Sequence, residues 1–146
     1  MVPLADTDLA TAITNKCVDK EGYVACQVYK ATLTNNGTET VYAKATLSLA
    51  VGTIANMKWQ RMDAAGTAVA GDPITGETVA TPTLLGTTTQ ETIAASDSAE
   101  FYFIVWLSDN GDQTTTDAGQ NFTGTVSANV TNQTGTATTE IRATFS

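Results

Sequence analysis

Apolar and polar residues alternate along most of this chain. In 40–50, Val41, Ala43, Ala45, Leu47 and Leu49 fall on one side, with Tyr42, Lys44, Thr46 and Ser48 on the other. The same period recurs in 122–130, with Phe122, Gly124, Val126, Ala128 and Val130 set against Thr123, Thr125, Ser127 and Asn129. It returns in 137–145, where Ala137, Thr139, Ile141, Ala143 and Phe145 oppose Thr138, Glu140, Arg142 and Thr144. A period of two is the signature of half-buried antiparallel strands. The run EFYFIVWLS over 100–108 is nearly continuously apolar and predicts a central strand covered on both faces.

The punctuation agrees with strands. Asn35-Asn36-Gly37 separates 23–34 from 39–50, and an Asn-Gly pair supplies the positive φ of a hairpin turn. Asn132-Gln133-Thr134-Gly135 divides the last two strands in the same way. Weaker strands are expected at 56–62 and 77–85, with a small-residue loop over 63–74 that holds Gly66, Gly71 and Pro73. A single helical turn is expected only at 116–120. The sum is an all-β fold: an antiparallel β-sandwich of about seven to nine strands, with Ig-like or jelly-roll topology. Residues 15–146 are expected to form one sandwich domain, preceded by an extended N-terminal segment, 1–14.

Composition narrows the chemistry. Thr supplies 29 of the 146 residues, and there is no His. Without His there is no imidazole base, no Ser-His-Asp triad and no His-bound zinc. The net charge of −8 argues against a protein that tracks phosphates on nucleic acid. Gly-rich phosphate loops are missing, and no pair of acids stands in a glycosidase setting. A non-enzymatic protein without cofactor is the expectation. No run of 18 apolar residues occurs, so no membrane-spanning helix is expected, and 1–14 does not read as a signal peptide.

Cys17 and Cys26 flank a short segment whose centre, Lys20-Glu21-Gly22, supplies a turn. A disulfide across it is expected, which places the protein in an oxidising, extracellular compartment. Four sequons mark Asn36, Asn121, Asn129 and Asn132 as possible glycosylation sites, only mildly more than the abundance of Thr and Ser supplies by chance. Asp109, Asp112 and Asp117 form a weak calcium candidate, and Asp6 with Asp8 a weaker acidic pair. Trp59, flanked by Lys58 and Arg61, is the better of the two tryptophans as a surface ligand-binding residue, while Trp106 reads as at least partly buried.

Two longer blocks carry a resemblance. YKATLTNNGTETVYAKATLSL (29–49) resembles the strand–turn–strand of TasA/camelysin-like secreted proteins, with its LxNxG turn. FYFIVWLSDNGDQTTTDAGQNFTGTVSANV (101–130) resembles the later block of that family: an apolar strand ending in Trp-Leu, a polar acidic loop, a DAG turn and a strand F-x-G-T-V. The resemblance implies an exported sandwich of Ig-like or jelly-roll type and a fibre-forming subunit of a biofilm matrix or surface filament. It also implies that the N-terminal segment leaves its own domain to complete a sheet in the next copy, so the expected partner is the protein itself, with other matrix components beside it. On 2–14 the residues for that role are Leu4, Leu9 and Ile13, with Pro3 favouring an extended entry. Some relatives carry a metalloprotease label, but HExxH is absent here. The rival expectation is a monomeric surface module for adhesion or carbohydrate binding, built around Trp59.

Overall fold

In the computed structural model, residues 1–86, 90–109, 111, 120–132, 135 and 141–145 are described. Among the described residues nine strands form two sheets that pack face to face. The five-stranded sheet runs, in spatial order, β4 (Val69–Thr75), β3 (Met57–Met62), β7 (Ser98–Leu107), β1 (Cys26–Asn35) and β9 (Ile141–Phe145). The second sheet is centred on β2 (Val41–Ala50). One flank of β2 pairs over its whole length with β8 (Thr123–Asn132), and the other takes the short β5 (Thr83–Leu84) and β6 (Glu91–Ile93). Every strand pair is antiparallel, and the sandwich is the architecture that the alternating pattern predicted.

The core lies between the sheets. Val41, Ala43, Ala45, Leu47 and Leu49 all point inward from β2 and are buried, as their spacing requires. They meet Ala31 and Leu33 of β1, Trp59 of β3, and Phe101, Phe103 and Val105 of β7. Because alanine contributes little area, the aromatic residues fill the gap: Trp59 stands edge-on to Phe103 with ring centres 6.2 Å apart, and Tyr29 stacks on Phe103 at 5.3 Å. The apolar run 100–108 is buried on both faces, with Ile104 and Trp106 facing away from the second sheet.

Several expectations are corrected. The Asn35-Asn36-Gly37 turn does not close a hairpin, since β1 and β2 lie in different sheets. None of these three residues takes a positive φ, so the primed turn that an Asn-Gly hairpin needs is not formed. The buried Asn35 amide instead donates to the carbonyls of Glu39, Ile93 and Ala94, while its oxygen accepts from the Gly37 N–H. Asn35 thus ties the end of β1 to β6 in the facing sheet. The last two strands likewise part, β8 pairing with β2 and β9 with β1.

The expected loop 63–74 is a turn followed by β4. Asp63 holds the turn by accepting from the N–H groups of Thr67 and Ala68. Gly71 and Pro73 are tolerated because β4 is an edge strand, where a missing ladder donor costs little. Of the expected strand 77–85 only β5 remains. Upstream of it, the buried Thr78 hydroxyl accepts from the Leu49 N–H and donates to the Leu47 carbonyl, taking the place of a ladder. The helical turn expected at 116–120 falls largely outside the described residues.

The N-terminal segment departs most from expectation. In place of an extended strand, a 3-10 turn over Asp6–Asp8 leads into α1 (Leu9–Thr14). Leu9, Ala12 and Ile13 stand at i, i+3 and i+4, which is one face of a helix. Six residues do not hold a helix alone in water, so packing against the sheet holds this one.

Candidate functional site

The outer face of the five-stranded sheet is where the N-terminal segment docks. Leu4, Leu9 and Ala12 are buried there with Cys17, Ala25, Cys26, Met62, Ile104 and Trp106. Val2 and Ile13 are partly buried against the same cluster. Each Leu removed from water in this way contributes about 1.5–3 kcal/mol. All three residues expected to act as donor positions therefore sit against the chain's own domain: Leu4 and Leu9 deep, Ile13 at the rim.

Leu4 does more than fill space. Its N–H donates to the Leu107 carbonyl at 2.9 Å, and its carbonyl accepts from the Asp109 N–H at 2.9 Å. This is a parallel bridge beside Ser108, where β7 has outrun β1. The β1 ladder ends at Cys26 opposite Trp106, because Val24 turns away to bridge with Val18. On the other flank Ser108 donates its N–H to the Asn56 carbonyl. Leu4 thus occupies the strand position that β1 leaves empty, and the Val2 N–H, donated to the Val24 carbonyl at 2.7 Å, fixes the approach.

Asp6 anchors the segment from the polar side. One carboxylate oxygen accepts from the Trp106 indole N–H at 3.0 Å and from the Ser108 hydroxyl at 2.7 Å, and the other accepts from the Lys58 ammonium. Partial burial pushes the carboxyl pKa up, but the hydrogen bonds from Lys58, Ser108 and Trp106, with the Lys58 charge, outweigh it and hold the group below its ordinary range. Lys58 lies on β3, Trp106 on β7 and Ser108 just past the end of β7, so one acid joins the segment to both strands. Asp6 is thereby engaged in hydrogen bonds rather than paired with Asp8.

The segment ends at a stapled corner. Lys16 and Cys17 both take positive φ, at 59° and 62°, a conformation costly for side-chain-bearing residues. Directly after it the Cys17–Cys26 disulfide joins the chain to the start of β1, as expected from the spacing. The loop inside the disulfide is ordered by Asp19, whose carboxylate accepts from the N–H groups of Glu21 and Tyr23. Everything before residue 17 hangs from this fixed point.

Other candidate residues do not join the site. Trp59, expected at the surface as a ligand-binding residue, is fully buried between the sheets, and its indole N–H is left without a hydrogen-bond partner. Its inward position on β3 follows from the alternation Met57, Trp59 that the flanking Lys58 and Arg61 concealed. Asn36, Asn121 and Asn129 are exposed and Asn132 is half-buried. Asp109 is exposed and accepts from the Gly111 N–H. Asp112 and Asp117 lie outside the described residues. Among the described residues no group of three or more Cys, Asp and Glu side chains is placed to hold a metal ion, and no helix is long and apolar enough to cross a membrane. Compared with known proteins, the chain matches no family model, no curated protein and no solved structure.

The residues that sequence reading missed are Asp6 as an anchor and Ser108 and Lys58 as its partners. A separation of 100 residues between Asp6 and Trp106 leaves no local signal for the pairing. The visible sign was the helical spacing of Leu9, Ala12 and Ile13, which already indicated a packed face rather than a free end.

Proposed function

We propose that this protein is a structural subunit of an extracellular or cell-surface filament, in which the N-terminal segment passes from one copy to its neighbour. The observation that carries this reading is Leu4, which fills a vacant strand position beside Ser108 with two main-chain hydrogen bonds. The same groups accept the same segment from another copy equally well, since exchange of an identical element creates no new contact type. The positive-φ pair at 16 and 17 marks the hinge, and its relaxation favours opening. The disulfide keeps the hinge attached to β1 and fits an oxidising compartment. Head-to-tail passage of the segment is heterologous and grows an open chain of subunits. A surface module built on Trp59 loses its central residue to the core.

The test is removal of residues 1–14. Full-length protein is expected to form filaments or ladders of oligomers visible by negative-stain microscopy, whereas the truncated domain stays folded and does not polymerise. A synthetic peptide of residues 1–14 is expected to bind the truncated domain, and less tightly when it carries Asp6→Ala. Full-length protein that remains monomeric, together with a truncated domain that ignores the peptide, defeats the proposal.

A further inference from the structure

The second sheet has an edge unlike the others. β8 pairs with β2 through ten residue positions on one side, and among the described residues no strand pairs with positions 123–131 on its other side. Thr123, Gly124, Thr125, Ser127, Ala128 and Asn129 are exposed along it. Natural sheets blunt long edges with charge, proline or interruption. β4 carries Asp72 and Pro73, and the opposite flank of the same sheet is cut into β5 and β6, of two and three residues. TGTVSANVTN has none of these devices: no ionisable side chain and no proline in ten residues.

We propose that β8 is an assembly surface for a second copy of this chain, the two β8 strands pairing antiparallel to join both second sheets into one. A twofold axis at Val126 sets Phe122 opposite Val130, Gly124 opposite Ala128, Thr125 opposite Ser127, and Thr123 opposite Asn129. Core-side residues then meet core-side residues, and hydroxyl or amide side chains meet their like on the outer face. Val130 is buried and Phe122 and Val126 half-buried, so the joined inner face extends the existing core. A copy of a chain with net charge −8 meets repulsion over most of its surface, and a strand without charge is where two copies approach without setting like charges opposite each other. This contact does not use the N-terminal segment, and it links subunits sideways.

The experiment measures self-association by sedimentation, for full-length protein and for the chain lacking residues 1–14. Both are expected to form a concentration-dependent dimer through β8, and Ala128→Lys weakens it roughly tenfold or more by placing a charge on the joined inner face. Ala128 is exposed in the single chain, so circular dichroism and the thermal midpoint of this variant stay unchanged. As a second readout, mixing Thr125→Cys protein with Ser127→Cys protein under mild oxidation gives cross-linked heterodimers in excess of either homodimer. Truncated protein that stays monomeric up to about 1 mM, a dimer indifferent to Ala128→Lys, or cross-links in random proportion overturns the proposal. Loss of polymer with retention of the β8 dimer on deleting 1–14 separates this contact from N-terminal exchange.

Discussion

The two faces of β7 support two hydrophobic clusters of different construction. On the inner face Phe101, Phe103 and Val105 meet a whole second sheet, and large side chains such as Trp59, Leu33 and Leu47 are completely enclosed. On the outer face Ile104 and Trp106 meet a single short helix and one strand position. That cluster is smaller and is held by a carboxylate, a disulfide and a few leucines. Beyond it the same face turns polar, with Lys30 paired to Glu100 at 2.9 Å and the Tyr102 hydroxyl donating to the same carboxylate. The inner cluster joins the two sheets, while the outer one holds the N-terminal segment against one of them. In the proposed assembly, the segment that passes between copies is the one held by this smaller cluster.

The strongest test of this contrast is in the inner core. Trp59→Ala removes a fully buried ring beside Phe103 and is expected to lower global stability by about 3–5 kcal/mol, read from urea unfolding. Trp59→Phe is expected to cost much less, because it keeps a ring and deletes an indole N–H that has no partner. A loss as large as that of alanine means that the N–H is satisfied after all. Neither variant is expected to alter how residues 1–14 dock.

A smaller effect is expected on the outer face. The paired change Cys17→Ser with Cys26→Ser opens a loop of nine residues' separation and removes roughly 2.5–3 kcal/mol in the chain-entropy account. Its distinguishing mark is local. Amide exchange in residues 2–17 accelerates more than in β2 or β7, because the hinge loses its fixed point. Uniform acceleration through both sheets contradicts the division into a defining core and a releasable flap.

Much of this architecture was legible from period two. The inward set of β2, the double burial of 100–108 and the cysteine pairing all follow from spacing. What escaped was the destination of each strand. An Asn-Gly pair reads as a hairpin, yet a buried Asn35 with four polar partners turns the same residues into a corner between sheets. β6 is too short to leave a pattern, and β4 is obscured by Gly71 and Pro73, residues that only an edge accepts. Trp59 was misplaced because its charged neighbours suggested the surface, although an alternating strand sends the adjacent Lys58 to the opposite face. The docking site depends on contacts that span the chain, and those are set by topology rather than by local spacing.

The mildest test concerns pH and acts on the outer cluster alone. The Asp6 carboxyl, against its ordinary 3.8, is lowered on docking despite burial, since Lys58, Ser108 and Trp106 all donate to the charged form. An undocked segment therefore binds its proton more readily than a docked one. The contribution of Asp6 to docking is complete above the ordinary carboxylate range and is lost as pH falls through the lowered value. Glu100 and Asp63 are lowered too, the first by Lys30 and Tyr102, the second by backbone N–H groups of its own turn. Neither acid hydrogen-bonds the segment, so their titration falls on the sheet and the β3–β4 turn. Amide exchange of residues 2–14, followed from neutral to acid pH, is expected to accelerate before that of β2. In Asp6→Asn, which keeps the shape without the charge, docking is weaker at neutral pH and nearly independent of acid. Identical pH profiles for the two proteins show that Lys58 and Trp106 hold the segment without the carboxylate, and the outer cluster is then as apolar in its energetics as the inner one.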